Sequence, residues 1–229
     1  MKKGQRVSQS ESFIQEVTEE VRRERLFGFM RRYGWIAIVV VLALVGGAAW
    51  NEWRKARDAA QAEALGNAMI AALEADDSAA RVAALQQIEP ATHGARVATG
   101  FMTASEMIAA GNTADAVSLL NQIAADGQAD PVYRQMAGFK ALLLQSDSLS
   151  AEDRRLGFEG LAQTSGMLRL PAEEQLALIE IETGQTDAAI ARLQRLQSDA
   201  EVTAGLRQRA SQLIVALNGT SGETGASGN

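Results

Sequence analysis

The sequence predicts an all-α protein, with a single transmembrane helix followed by a TPR-like α-solenoid of stacked helical hairpins. Three observations carry this expectation. An uninterrupted apolar run occupies residues 33–50, apolar residues beyond it recur at helical spacing, and one turn-to-helix signature appears twice, 73 residues apart. Four segments follow: 1–32, basic and amphipathic; 33–50, a signal anchor; 51–217, the helical stack; and 218–229, a disordered tail.

The first segment holds 8 basic and 5 acidic side chains, and the rest of the chain 14 basic and 23 acidic. A basic stub of this kind suits an anionic inner leaflet. Ser12-x-x-Gln15 fits a capping box, and Phe13, Ile14, Val17 and Val21 share one helix face. The stretch reads either as an interfacial or docking helix or as a plain extension of the span.

Between Ile36 and Ala49 no side chain carries a charge or a hydrogen-bonding group. With its flanks the run reaches about 18 residues, roughly 27 Å at helical rise, close to the hydrocarbon thickness of a bilayer. Tyr33 and Trp35 stand at one end and Trp50 and Trp53 at the other, where aromatic rings settle at lipid–water interfaces. A buried core helix would show a polar face, and this run has none. A cleavable signal peptide would need an n-region of over thirty residues with five glutamates, the wrong length and charge. Arg22, Arg23, Arg25, Arg31 and Arg32 precede the span, so its N-terminal side is expected in the cytoplasm and the stack on the far side of the membrane. Ala43, Gly46, Gly47 and Ala49 give the exported half of the span a small face to which another transmembrane helix could pack.

Beyond the span the punctuation is helical. Asp130-Pro131 reads as an N-cap followed by proline at the first helical position, Pro171 opens a turn with Glu173 and Glu174, and Pro90 separates two segments. Gly111, Gly127, Gly184 and Gly219 stand at expected helix ends. Apolar stripes are Ala98/Phe101/Met102/Ser105/Ile108, Val132/Met136/Phe139/Leu143, Ala189/Leu193/Leu196 and Leu206/Ala210/Leu213/Ile214/Leu217. The chain has no cysteine, so this core must hold without disulfides. The tail has no apolar residue larger than alanine, too little to offset its ordering entropy.

The recurring signature is Gly111-Asn112-Thr113-Ala114-Asp115-Ala116 leading to Leu120, and Gly184-Gln185-Thr186-Asp187-Ala188-Ala189 leading to Leu193. Glycine would end a first helix, threonine cap a second, and the small alanine allow close approach of the two. This is the second half of a tetratricopeptide repeat, and the spacing leaves room for a degenerate unit around Ser150 to Gln163.

With these features the chain resembles the YfgM-type ancillary subunits of the Sec translocon, TPR-like inner-membrane proteins. The stretch Ser12-Phe13-Ile14-Gln15-Glu16-Val17-Thr18-Glu19-Glu20-Val21-Arg22-Arg23 is similar to the alphaproteobacterial members. The resemblance implies an inner-membrane protein whose periplasmic domain engages the translocon and exported clients or chaperones.

No catalytic, cofactor-binding or metal-ligating site is expected. His93, the single histidine, has no second His or Cys with which to ligate a metal. Asp76-Asp77 and Glu173-Glu174 lack calcium-loop spacing, and there is neither a phosphate loop nor a nucleophile elbow. The acidic exported part offers no basic track for nucleic acid and no small-molecule substrate is indicated. The expected function is a non-enzymatic protein-binding module acting through the faces of the first helices. The alternatives are a structural subunit held in a larger complex through the span, and a regulator whose cytosolic segment reports on envelope state.

Overall fold

The computed structural model describes the backbone of residues 7–226, with side chains for 31–36 and 38–218. The described residues form helices and turns without strands: α1 (Val7–Leu73), α2 (Ser78–Gln86), α3 (His93–Ala109), α4 (Thr113–Ala125), α5 (Pro131–Leu144), α6 (Ala151–Ala162), α7 (Arg169–Glu182), α8 (Thr186–Ser198) and α9 (Ala204–Ala226). They divide into two compact units, Met1–Gln61 and Ala62–Asn229.

In the first unit, α1 is continuous through residues 33–50, and its apolar stretch is long and apolar enough to cross a membrane, with none of it buried. The helix runs through Ser12, whose side chain lies outside the described residues. The side chains of 1–30, and with them the amphipathic face expected there, lie outside the described residues.

The second unit is a TPR-like solenoid. Its substantial contacts run between consecutive helices from α2 to α9, the neighbour-only packing of a repeat array. Both copies of the signature close their hairpins in one way. Gly111 and Gly184 take φ of +81° and +77°, open to glycine at no steric cost. Gly111 N–H donates to Ile108 O at 3.0 Å and Asn112 N–H to Met107 O at 2.8 Å. Gly184 N–H and Gln185 N–H donate likewise to Ile181 O (3.0 Å) and Glu180 O (2.7 Å). These paired bonds are a Schellman turn, which satisfies the last carbonyls of each first helix. Threonine does not cap the second helix as expected. Asn112 and Gln185 hold the cap position, without a side-chain bond, and Thr113 and Thr186 are the first helical residues.

Four residues past each cap, Ala116 and Ala189 are fully buried, and Leu120 and Leu193 follow at 1% and 0% exposure. A leucine at either alanine would overpack the contact between first and second helix. Ala116→Leu and Ala189→Leu should each destabilise the fragment 54–218 by about 1–3 kcal/mol in urea denaturation. Neutrality of both would contradict this packing.

The intervening unit is α5 with α6. Ser150 caps α6 by accepting from Asp153 N–H at 3.1 Å, and Gln163 is its C-cap. Its signature is unrecognisable because Arg154 stands where alanine is expected and Phe158 where leucine is. Arg154 is 8% exposed, and its Nη2 donates to the two Glu182 carboxylate oxygens at 2.6 and 2.8 Å. In α2, Arg81 occupies the same place relative to its cap Asp77 and donates from Nε to Glu106 at 2.6 Å.

The helices therefore follow a double-hairpin period of 73 residues. The starts of α2, α4 and α5 recur at α6, α8 and α9, and the C-terminal end of α3 recurs at that of α7. In the same register Arg81/Arg154, Ala104/Ala177, Asp126/Asp199 and Ala137/Ala210 are identical pairs, and both alanine pairs are buried. Asp126 and Asp199 repeat one turn, accepting from Gln128 N–H and Glu201 N–H at 3.0 and 2.9 Å.

Several expectations about helix faces need correction. On α3, Ala98, Ser105 and Ile108 are exposed, and the buried face is Val97, Ala104 and Met107 with Thr99 and Thr103. The two hydroxyls donate to Ala95 O and Thr99 O at 2.9 Å each, so they can be buried without loss of hydrogen bonding. On α5, Val132 and Leu143 are exposed and the buried residues are Ala137 and Ala141. The stripes on α8 and α9 stand: Ala189, Leu193 and Leu196 are buried, as are Leu206 and Ala210, with Leu213, Ile214 and Leu217 packed beside them. Asp130 does cap α5, accepting from Val132 N–H at 2.9 Å with Pro131 next. Pro171 is the third residue of α7, one before Ala172, whose amide donates to Leu168 O four residues back at 2.9 Å. Gly219 falls within α9. Of the tail 218–229, side chains beyond Asn218 and all of 227–229 lie outside the described residues.

Candidate functional site

The stack offers two grooves of similar build. Each lies over a first helix and is walled by the second helices on either side of it. The first, about 450 Å³, runs over α3 between α2 and α4. Leu85, Ile88, Pro90, Met107 and Leu119 give it apolar walls, and Arg96 and Asp115 supply opposite charges. Gln86, Thr99, Thr103, Ser118 and Gln122 add to the lining, which is mixed apolar and polar. The second groove, about 380 Å³, runs over α5 between α4 and α6. Gly138, Gly157 and Gly160 line it with Leu142, Leu161 and the polar side chains of Asn121, Arg134 and Gln135. Both are lined by second helices as well as by a first helix.

The 73-residue register explains why the first groove is open. Gly100, Met107 and Leu119 correspond to Glu173, Glu180 and Arg192. In the second copy these three form a network across α7 and α8. Arg192 Nη1 stands 2.5 Å from Glu173 Oε2, and its Nη2 2.7 Å from Glu180 Oε1. Hydrogen bonding to Glu180, then to Glu173, raises the Arg192 pKa further above its ordinary value. What is left there is a smaller hollow of about 220 Å³ lined largely by charges. At Gly100 an added Cβ would come within 3.0 Å of Ile123 Cδ1 and 3.7 Å of its Cγ1, so glycine there allows the close approach of Ile123.

The residues weighed for chemistry serve the fold. His93 opens α3 with its Nε2 2.8 Å from Asp126 Oδ2 at the end of α4. In the second copy Arg169 ties the start of α7 to Asp199, at the end of α8, at 2.9 Å. The Arg169 guanidinium first, and the Glu201 amide next, hold the Asp199 carboxyl below the usual carboxylate range. Asp77 caps α2, accepting from Ala80 N–H at 2.7 Å. Glu173 belongs to the Arg192 network, and Glu174, 8% exposed, accepts two bonds from Arg209 at 2.7 and 2.8 Å. Among the described residues no group of three or more His, Cys, Asp or Glu side chains could hold a metal ion. The groove residues Arg96, Asp115, Asn121, Arg134 and Gln135 were not foreseen from the sequence. Aligning the chain on itself at 73 residues would have shown small or apolar residues against charged counterparts.

Two-helix units packed mainly on their neighbours in chain order, two of them closed by Schellman turns, define a helical-repeat scaffold. The chain belongs to the tetratricopeptide repeat-like domain family, whose model matches residues 28–153, more than half its length. That match ends where the second 73-residue copy begins. No curated protein matches the chain. Two crystal structures of nearly identical TPR-like repeats, assigned to a kinesin light chain of Podosopora anserina, are similar to it. One is 16% identical with a TM-score of 0.49, covering 73% of this chain and 87% of its own. The other is 17% identical with a TM-score of 0.48, covering 73% and 88%.

Proposed function

We propose that this chain is a non-enzymatic, membrane-anchored protein-binding module. Residues 33–50 cross the bacterial inner membrane, 1–32 stay in the cytoplasm, and the solenoid works in the periplasm. The groove over α3 carries the binding reading: it stays open where the matching place in the second copy is bridged by Arg192. Tetratricopeptide-type stacks are protein-interaction scaffolds, and a groove of apolar walls and sparse charges suits a peptide or helix. The anchoring rests on the unburied apolar stretch of α1 and on its flanks. Trp50 and Trp53 pack with ring centroids 5.2 Å apart, and Arg57 lies over Trp53 at 5.7 Å, a cluster suited to an aromatic interface belt. The partners, by the resemblance in the N-terminal stretch, are envelope proteins: the Sec translocon and exported clients or chaperones.

A periplasm-dependent reporter fused after Leu217 should be active and one fused before Arg31 inactive; the reverse would refute the orientation. In-cell crosslinking followed by pull-down should recover envelope proteins with full-length protein, and fragment 54–218 should keep micromolar affinity for them, about −8 kcal/mol. A structural-subunit role is the competing reading. It is favoured by one observation, that added Cβ atoms at Gly46 and Gly47 would meet nothing, leaving that face of α1 clear. Loss of every partner on Gly47→Leu, together with no capture by the fragment, would select that reading instead.

A further inference from the structure

We infer that His93 is a proton-operated switch on Asp126, and that its charge decides whether Arg96 stands free at the groove over α3. The inference rests on the protein-binding reading of that groove and adds its regulation.

Two residues of this corner are identical in the two 73-residue copies, yet they pair differently. Arg96 corresponds to Arg169, and Asp126 to Asp199. In the second copy Arg169 donates from Nη1 to Asp199 Oδ2 at 2.9 Å and from Nη2 to Asp199 Oδ1 at 3.0 Å. Its Nη2 also donates to Glu201 at 2.8 Å. In the first copy the Arg96 guanidinium makes no ion pair among the described residues and lines the groove instead. Two replacements account for the difference. Gln128 stands in the place of Glu201, which takes one carboxylate from the arginine, and His93 stands in the place of Gly166, which brings in a competing cation. His93 Nε2 lies 2.8 Å from Asp126 Oδ2, the oxygen whose counterpart accepts from Arg169 Nη1.

The His93 contact depends on charge. Its Nε2 is buried and makes no aligned hydrogen bond, so an ion pair holds the ring to the carboxylate, and that pair exists only while the imidazole is protonated. Imidazoles ordinarily change charge between about pH 5 and pH 8, where carboxylates are already ionised and guanidinium groups still protonated. The elements packed on α3 are α2 and α4, and with the segment joining α2 to α3 they bring Arg81, Glu89, Asp115 and Asp126 to it. Arg81 is held by Glu106, Glu89 is exposed, and Asp115 belongs to the first turn of α4. Asp126 is the group among these within ion-pair distance of His93. On the acid side His93 therefore holds Asp126, and Arg96 is free. As the imidazole loses its proton, Asp126 is left charged beside a neutral ring. Arg96, one turn along the same helix, then takes it as Arg169 takes Asp199, and the groove loses its free cation.

The test uses full-length protein in detergent micelles, labelled with nitrogen-15 at arginine and histidine and followed from about pH 5 to pH 8. His93 is the single histidine, so its ring signals identify themselves, and the Arg96 Nε–H signal is the one missing from Arg96→Lys. The Arg96 signal should move with the same midpoint as His93. In His93→Gln it should keep its alkaline position throughout. In Asp126→Asn, which retains an oxygen for the Gln128 amide, His93 should still titrate while the Arg96 signal stays still. A stationary Arg96 signal in the unsubstituted chain, or a transition that survives either substitution, would overturn the switch. Recovery of crosslinked partners should differ between the two ends of this range by at least about threefold, the scale of one partly exposed charge contact, and be constant in His93→Gln. Recovery independent of pH in the unsubstituted chain would overturn the regulatory role. No recovery at any pH would instead defeat the binding reading, because the nitrogen-15 measurement needs no partner.

Discussion

Phe158→Ala should cost the solenoid about 3–5 kcal/mol, the loss usual for a buried aromatic. Phe158 is 2% exposed and anchors a cluster with Ala172, Leu176 and Ile179. Its ring meets Phe139 edge-on at 5.5 Å, and Leu142 and Leu161 pack beside the cluster. Truncation removes both the transfer energy and the aromatic pairing, and little around it can close the gap because the backbone of α6 already touches α5. At Gly157 an added Cβ would come within 2.7 Å of Leu142 side-chain carbons. The measurement is urea denaturation of fragment 54–218 followed by helical circular dichroism. A loss under about 1 kcal/mol would mean that Phe158 is not the counterpart of Leu120 and Leu193, and that α5 and α6 are no true repeat unit.

Closing the groove over α3 should abolish partner capture. The second copy supplies the means: Gly100→Glu, Met107→Glu, Leu119→Arg and Ile123→Leu transplant the Arg192 network and the leucine beneath it. Because the register is ungapped, each new side chain enters a backbone setting where its counterpart already fits. The graft should retain the helical signal and midpoint of unfolding while lowering recovery of crosslinked partners at least tenfold, about 1.4 kcal/mol in binding. Undiminished capture by a folded graft would place the binding surface elsewhere on the stack.

Much of the architecture was legible because the relevant residues act locally. Gly111 and Gly184 need positive φ, Asp130-Pro131 is a cap, and Ala189, Leu193 and Leu196 share a face; each can be read within one or two turns. The buried face of α3 could not be read in this way. Thr99 and Thr103 count as polar until their hydroxyls are seen bonded to carbonyls of the same helix. On α5 the bulky residues misled, since Val132 and Leu143 are 42% and 41% exposed while two alanines do the packing. Arg154 hid the middle repeat because an arginine at an alanine position is tolerable only with Glu182, 28 residues away, to receive it. The grooves were the least legible of all. They exist because side chains are small at Gly100, Gly138, Gly157 and Gly160, and a small side chain announces nothing about what surrounds it.

Of all consecutive helices from α2 to α9, α5 and α6 share the least contact. In an array held only by nearest neighbours, each junction is a joint in series, and compliance concentrates at the weakest one. The solenoid therefore has a seam near its middle, between a half dominated by the α3–α5 core and a half dominated by the α7–α9 core. Opening there breaks the fewest contacts, so amides of α5 and α6 should exchange with solvent earlier than those of α4 or α8. The groove beside Arg134 straddles this seam, with α4 on one bank and α6 on the other. Anything lodged in it works as a splint, trading its own freedom for the stiffness of the whole array.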